Sequence, residues 1–239
     1  MALIQFPVES QRARTLTLIT MITLGAAVIS SVSWMARSVQ RGNAIDSRIT
    51  VASTTTEAAF AKQGPVDIGF AQDMSVHHEQ ALTMAYLALN KASPRVRLLA
   101  QGIVTQQLKE IGYMQGWLLL WQAPGMAPDD EMRWMRDAYA SAARRDLAYE
   151  QFIDSCAQGH GMPGMASPQE LEALAAVPSP AAFDAAFLAL MVRHHQGAVV
   201  MARFVSEHAQ LDLVRGFARA MAAEQQQEMA QMLSWLRAS

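Results

Sequence analysis

The chain has 239 residues, 19 Lys and Arg against 21 Asp and Glu, and 51% apolar residues, which excludes a disordered or fibrous chain. A net charge of −2 with no basic run after residue 50 gives no electrostatic footprint for nucleic acid, and the single cysteine, Cys156, excludes an internal disulfide. Methionine, with 16 copies, and six histidines, four of them in two adjacent pairs, stand out as soft or borderline metal ligands.

Residues 1–14 form a short tail carrying Arg12 and Arg14. Thr15 to Ala36 then runs 22 residues without a charge, a length of ~33 Å as a helix, enough to cross a bilayer. Trp34 lies near its far end, and Arg37 and Arg41 follow. A cleaved signal peptide has a shorter apolar region ending in an A-x-A-like site, so this stretch reads as a single uncleaved transmembrane helix. Residues 37–65, rich in Ser, Thr and Arg, read as a linker to a domain at 66–239.

That domain contains an internal repeat. Asp67, Phe70, Met74, His77, His78, Ala81, Met84 and Ala85 recur as Asp184, Phe187, Met191, His194, His195, Ala198, Met201 and Ala202. Downstream, Gln107, Glu110, Met114, Trp117 and Leu118 recur as Gln225, Glu228, Met232, Trp235 and Leu236, shifted by one residue more, so the loop between the two blocks differs in length by one. Apolar residues at three- and four-residue intervals predict a long helix for each block. The first begins at Pro65 and Asp67, Ser93-Pro94 breaks it from a second over 95–121, the third begins near Pro180, and the fourth covers 212–236. Repeat 1 (66–121) and repeat 2 (180–238) are thus helical hairpins, each with an apolar face the other can bury. The predicted fold is all-α, a four-helix bundle preceded by the membrane helix.

The insertion 122–179 is predicted to hold one helix over 129–156, a mobile glycine-rich loop over 159–165, and a short helix whose Ser167 and Glu170 occupy capping-box positions. Cys156 has no partner spacing and reads as buried, and His160 reads as part of a solvated loop.

At 100° per residue, Met74, His78, Ala81 and Ala85 fall within about 60° of one another, as do Met191, His195, Ala198 and Ala202, and this face points inward. His77 and His194 diverge from it by about 100° and pair along their helices with Met74 and Met84, or Met191 and Met201. This leaves open one central site sharing a histidine from each half, or two sites at the edge. The candidate metal ligands are His77, His78, Met74, Met84, His194, His195, Met191 and Met201. Imidazole suits Cu(II) and thioether Cu(I), so the set favours copper over zinc or a hard cation, although Glu110 and Glu228 could lend carboxylates. No Glu-x-x-His occurs, which argues against a di-iron oxidase, and no Gly-rich phosphate loop or nucleophile elbow is present. Asp67 and Asp184 read as helix-start residues, and Trp117 and Trp235 as core anchors.

The doubled His-His motif, Gln107-x-x-Glu-Ile, Met114-x-x-Trp-Leu and Met162-Pro-Gly-Met-Ala-Ser-Pro-Gln-Glu-Leu resemble the bacterial family known as domain of unknown function 305, with its CopM-like copper-binding proteins, over residues 66–238. The resemblance implies a ferritin-like bundle exported to the periplasm, copper binding, and the eight ligands above with Met114 and Met232 on the facing helices. It also orients the anchor: residues 1–14 in the cytoplasm, the domain on the periplasmic face of a bacterial inner membrane. The expected function is copper capture, buffering or delivery, without enzymatic turnover; the partners are copper ions and the bilayer. The other reading is an accessory subunit of a larger membrane complex.

Overall fold

The computed structural model describes residues 62–127, 132–141, 146–157 and 162–238, and among them the chain is all-α, without strands. The helices are α1 (Pro65–Lys91), α2 (Pro94–Leu120), α3 (Arg133–Ala140), α4 (Leu147–Ala157), α5 (Pro168–Ala176), α6 (Pro180–His208) and α7 (Asp212–Leu236). No described helix is long and apolar enough to cross a membrane; the stretch read as an anchor, 15–36, lies outside the described residues.

Each long helix starts where its sequence says. Pro65, Pro94 and Pro180 stand at first helical positions, where the missing N–H costs nothing. The connection between α1 and α2 is Ala92-Ser93; that between α6 and α7 is Ala209-Gln210-Leu211, and this extra residue is the shift seen in the repeat. Helices α2 and α7 run antiparallel, since Arg95 lies over the Trp235 ring at 3.9 Å, Gln106 reaches Glu224 at 2.8 Å and Tyr113 meets Phe217 at 6.1 Å. Helices α1 and α6 also run antiparallel, with His77 against His194 and Ser93 bonded to Asp184. Four helices, α1, α2, α6 and α7, thus form the bundle.

Its core is divided. One apolar cluster holds Phe70, Met74, Met114, Ala198, Met201, Phe204 and Met221; the other holds Ala81, Met84, Ile103, Phe183, Phe187, Met191 and Met232. Between them every bundle helix contributes buried polar residues: His77 and His78 from α1, Gln107 and Glu110 from α2, His194 and His195 from α6, Gln225 from α7. Burying each of the phenylalanines is worth about 1.5–3 kcal/mol, whereas the polar layer costs stability wherever its atoms lack partners.

Three hydrogen bonds to two aspartates interlock the repeats. The Asp67 carboxylate accepts from Gly64 N at 2.7 Å, Gln210 N at 3.1 Å and Leu211 N at 3.0 Å, and Asp184 accepts from Ser93 N at 3.0 Å. Each repeat's helix-start aspartate therefore holds the hairpin turn of the other repeat. Spacing alone reads these residues only as caps of their own helices.

The insertion departs from the single helix expected over 129–156. It forms α3 and α4 instead, and the Tyr139 hydroxyl accepts from Asp146 N at 2.8 Å and donates to Asp146 O at 3.0 Å across the break. Helix α3 packs chiefly on the first repeat, and its Trp134 ring also lies 6.1 Å from Phe204 of α6. Asp73 accepts from Met132 N and Trp134 Nε1, both at 2.8 Å, and the indole lies on Gly69, where a Cβ would come within 2.2 Å of the ring. This explains why Asp73 has become Leu190 in the second repeat, which has no such helix to hold. Ser167 caps α5, with both arms of the capping box formed. The Cys156 side chain and His160 lie outside the described residues.

Candidate metal centre

The polar layer is built around two rings. His77 of α1 and His194 of α6 meet at the middle of the bundle with ring centroids 3.8 Å apart, tilted by 36°. His78 and His195, one residue on and about 100° around each helix, point instead to the outer helices: His78 Nε2 donates to Glu110 Oε2 of α2 at 2.7 Å, and His195 Nε2 donates to Glu228 Oε2 of α7 at 2.7 Å. Adjacent rings diverge as the helical period requires, but His77 and His194, not the His78 and His195 of the face read as inward, meet at the centre, and two His–Glu pairs flank them.

A carbonyl or carboxylate only accepts, so each partner fixes a tautomer. His77 Nε2 donates to the Pro163 carbonyl at 3.3 Å, and Nδ1 of His77, His78 and His195 has no partner. Neither ring nitrogen of His194 makes a hydrogen bond of good geometry, although a contact with the His77 backbone opposes the larger effect of burial on its pKa. Burial and, after it, the neighbouring His78 ring pull the His77 pKa down to about 3. Burial and then the His77, His195 and His78 rings hold His194 well below its ordinary value. Both central imidazoles are therefore neutral at physiological pH, and Nδ1 of His77 carries a free lone pair in a buried site.

The methionines sort by cluster. Met74, Met114 and Met201 lie on one side of the histidine layer; their repeat equivalents Met191, Met232 and Met84 lie on the other, and all six are fully buried. Met74 and Met84, expected to share a face with His77, are ~15 Å apart along α1 and fall in opposite halves of the core. Each trio draws one thioether from α1, one from α6 and one from an outer helix.

Several residues to which the sequence alone gives no role complete the surroundings. Gln106 Nε2 bridges Glu110 at 3.1 Å and Glu224 at 2.8 Å, and the Glu224 pKa is raised, by burial and then by Glu110 and Glu228. Gln107 and Gln225 are buried, with Gln107 Oε1 and both polar side-chain atoms of Gln225 unpartnered. The loop expected to be mobile is, over Met162–Ala166, laid on the α1–α6 seam: Gln80 accepts from Ala166 N at 2.6 Å and donates to Ala166 O at 2.9 Å, and the Arg193 guanidinium forks onto Glu170 at 2.6 and 2.7 Å. The signal was the break in the repeat, where Gln80 is matched by Gly197 and Val76 by Arg193.

Among the described residues no set of three or more His, Cys, Asp or Glu side chains is grouped to hold a metal ion. The carboxylates nearest the rings are already engaged with His78 and His195, so the donors left free are imidazole nitrogens and thioether sulfurs. That is a soft set, which fits copper better than a cation that seeks oxygen.

Residues 67–236 match the family model described as domain of unknown function (DUF305). Among solved structures, the chain is similar to a DUF305 protein from Streptomyces coelicolor described as secreted, at 34% identity and TM-score 0.60, covering 72% of this chain and 92% of that one. It is also similar to a DUF305 fragment from Deinococcus radiodurans, at 28% identity and TM-score 0.56, covering 74% and 99%. CopM in its Cu(I)-bound form matches at 26% identity and TM-score 0.51, covering 72% and 95%. No curated protein matches.

Proposed function

The chain belongs to the family described as domain of unknown function (DUF305), and from that premise we propose that it captures copper ions outside the cytoplasm and buffers them or passes them on. The observation that carries this reading is the buried His77–His194 pair, whose unpartnered nitrogens cost about 1–3 kcal/mol each unless something binds them. Similarity to CopM, solved with Cu(I), and to a relative whose description names secretion supports the metal and the compartment. In this reading His77 and His194 supply the central nitrogens. Thioethers from Met74, Met201 and Met114, or from Met84, Met191 and Met232, favour Cu(I) on either side. His78 and His195, backed by Glu110 and Glu228, are further imidazole donors whose orientation those carboxylates fix. Binding, not turnover, is the role proposed.

Cu(I) competition titration of the full-length protein tests it. His77→Leu with His194→Leu fills the same apolar space without nitrogen and should weaken stoichiometric Cu(I) binding by about 100-fold or more while helicity is retained; ligand loss exceeds the 10- to 100-fold cost typical of losing an outer partner. Unchanged affinity in the folded variant would remove the histidines from the site. Glu110→Gln with Glu228→Gln should weaken binding by roughly 10-fold, since the amide still accepts from each ring but without charge.

Residues 15–36 are proposed to tether the domain to the membrane, and N-terminal sequencing of membrane-extracted protein should read from the first residues; a start near residue 37 would mean cleavage. The exposed Leu119, Leu120, Met126 and Leu213, where α2 ends and α7 begins, favour the accessory-subunit reading instead. A stoichiometric membrane partner retained in mild detergent, without copper, would point that way.

A further inference from the structure

The copper reading leaves a physical difficulty, because His77 and His194 are closed off from solvent. An ion reaches them only if something moves. Around the pair stand packed helices and, across the α1–α6 seam, one irregular segment among the described residues, Met162–Ala166, whose Pro163 carbonyl touches His77 Nε2. We propose that this strap is the lid of the site: it lifts from the seam to admit or release a soft cation such as Cu(I) while the four bundle helices stay in place. The proposal rests on the copper reading for its ligand and on geometry for its movement.

Three observations carry it. First, the strap's outer end is held by polar contacts at the surface. Arg193 and Glu170 are about two-fifths exposed, and Gln80 grips Ala166 through one side chain. Exposed contacts of this kind open at small cost, whereas parting packed helices would breach the core. Second, the two helices receive the strap differently at equivalent positions. On α1, Gln80 reaches out to hold it; on α6, Gly197 makes room, and a Cβ there would come within 1.9 Å of the Pro163 oxygen. A glycine inside a helix costs about 1 kcal/mol against alanine, and here the space it leaves is filled by strap backbone. Gly164, at φ +87° against the Arg193 carbonyl, supplies the left-handed turn that lets the strap lie flat. Third, Met162 at the strap's inner end is buried in the cluster that holds Met74 and Met201, so the moving segment carries a thioether to meet the ion.

The test needs no copper in its first arm. On the full-length metal-free protein at pH 7, diethyl pyrocarbonate modification mapped by mass spectrometry reads how often His77 and His194 are reachable, with the partly exposed His208 as internal reference. Arg193→Ala, which removes the latch, and Gly197→Ala, which pushes the strap off while strengthening α6, should each raise modification of both histidines about fivefold or more relative to His208. Arg193→Lys keeps the charge but not the fork and should fall between. In the second arm the same variants should load and release Cu(I) faster with unchanged stoichiometry. If His77 and His194 are modified at the unaltered rate in Arg193→Ala and Gly197→Ala, the lid is overturned, whatever copper does. If their modification rises as expected but the unaltered protein binds no copper, the lid stands and the copper reading falls.

Discussion

At pH 5 the metal-free protein is expected to be less stable than at pH 7 by up to about 4 kcal/mol, and the difference is expected to shrink to well under half in His77→Leu with His194→Leu. The cause is burial. The unfolded chain protonates each imidazole near the ordinary 6.5, but the folded protein holds His77 neutral down to about 3 and His194 neutral well below its usual value. A depressed folded pKa means the unfolded state binds more protons, so stability is fully present above pH 6.5 and is lost as the pH falls toward 3. Each pH unit in that window costs about 1.4 kcal/mol per histidine, and two histidines over one and a half units give the figure above. Glu224, raised by burial and then by its acidic neighbours, works in the opposite direction. Denaturant unfolding at pH 5, 6 and 7 with a chelator present measures the slope. A flat profile would mean the central rings are not buried and neutral. On the proposed copper reading the same depression bears on function, because protons would compete with the metal for Nδ1 only below the folded pKa. A site of this kind keeps its imidazoles open to a metal in mildly acid surroundings where exposed histidines are already charged.

The long helices and their pairing were legible because they rest on local signals that repeat: prolines at first positions, apolar spacing, and two blocks with the same order of residues. The candidate histidines were legible for the same reason. Their arrangement was only partly so. The helical period separates His77 from His78, but nothing along one helix says that His77 faces α6 while His78 faces α2; that depends on how hairpins dock. Met74 and Met84 illustrate the limit. Sequence groups them around His77, whereas the antiparallel crossing of α1 and α6 gives each a different methionine neighbourhood, Met74 with Met201 and Met84 with Met191. The docking of the strap is not legible, because glycine and proline along the chain say nothing of the tertiary partners its backbone meets. Here Gln80, Arg193 and the hollow at Gly197 supply them. The informative sites were the breaks in the repeat: Asp73 against Leu190 marks the docking of Trp134, and Gln80 against Gly197 marks the strap.

Asp67→Ala is expected to cost about 3–5 kcal/mol, the largest loss from any single polar side chain outside the histidine layer, while its repeat equivalent Asp184→Ala should cost about 1–2. Both aspartates start equivalent helices, so a purely local capping role would give similar losses. The difference lies in what they hold. Asp67 is fully buried and accepts three backbone N–H groups, two of them from the turn between α6 and α7, whereas Asp184 accepts one, from Ser93. Removing Asp67 leaves buried or half-buried donors without an acceptor and cuts the link from repeat 1 to the turn of repeat 2. Asp67→Asn retains one good acceptor and should lose roughly half as much. Hydrogen exchange locates the effect: in Asp67→Ala the amides of Gln210 and Leu211 should lose protection, while those around the histidine layer keep theirs. Equal losses for the two aspartates, within about 0.5 kcal/mol, would show that the turns hold themselves. Larger loss at Asp67 would mean that the repeats are interlocked, with each hairpin's turn closed by the other. An interlocked frame of that kind would hold the two hairpins in register around a central layer whose own polar atoms give few cross-links.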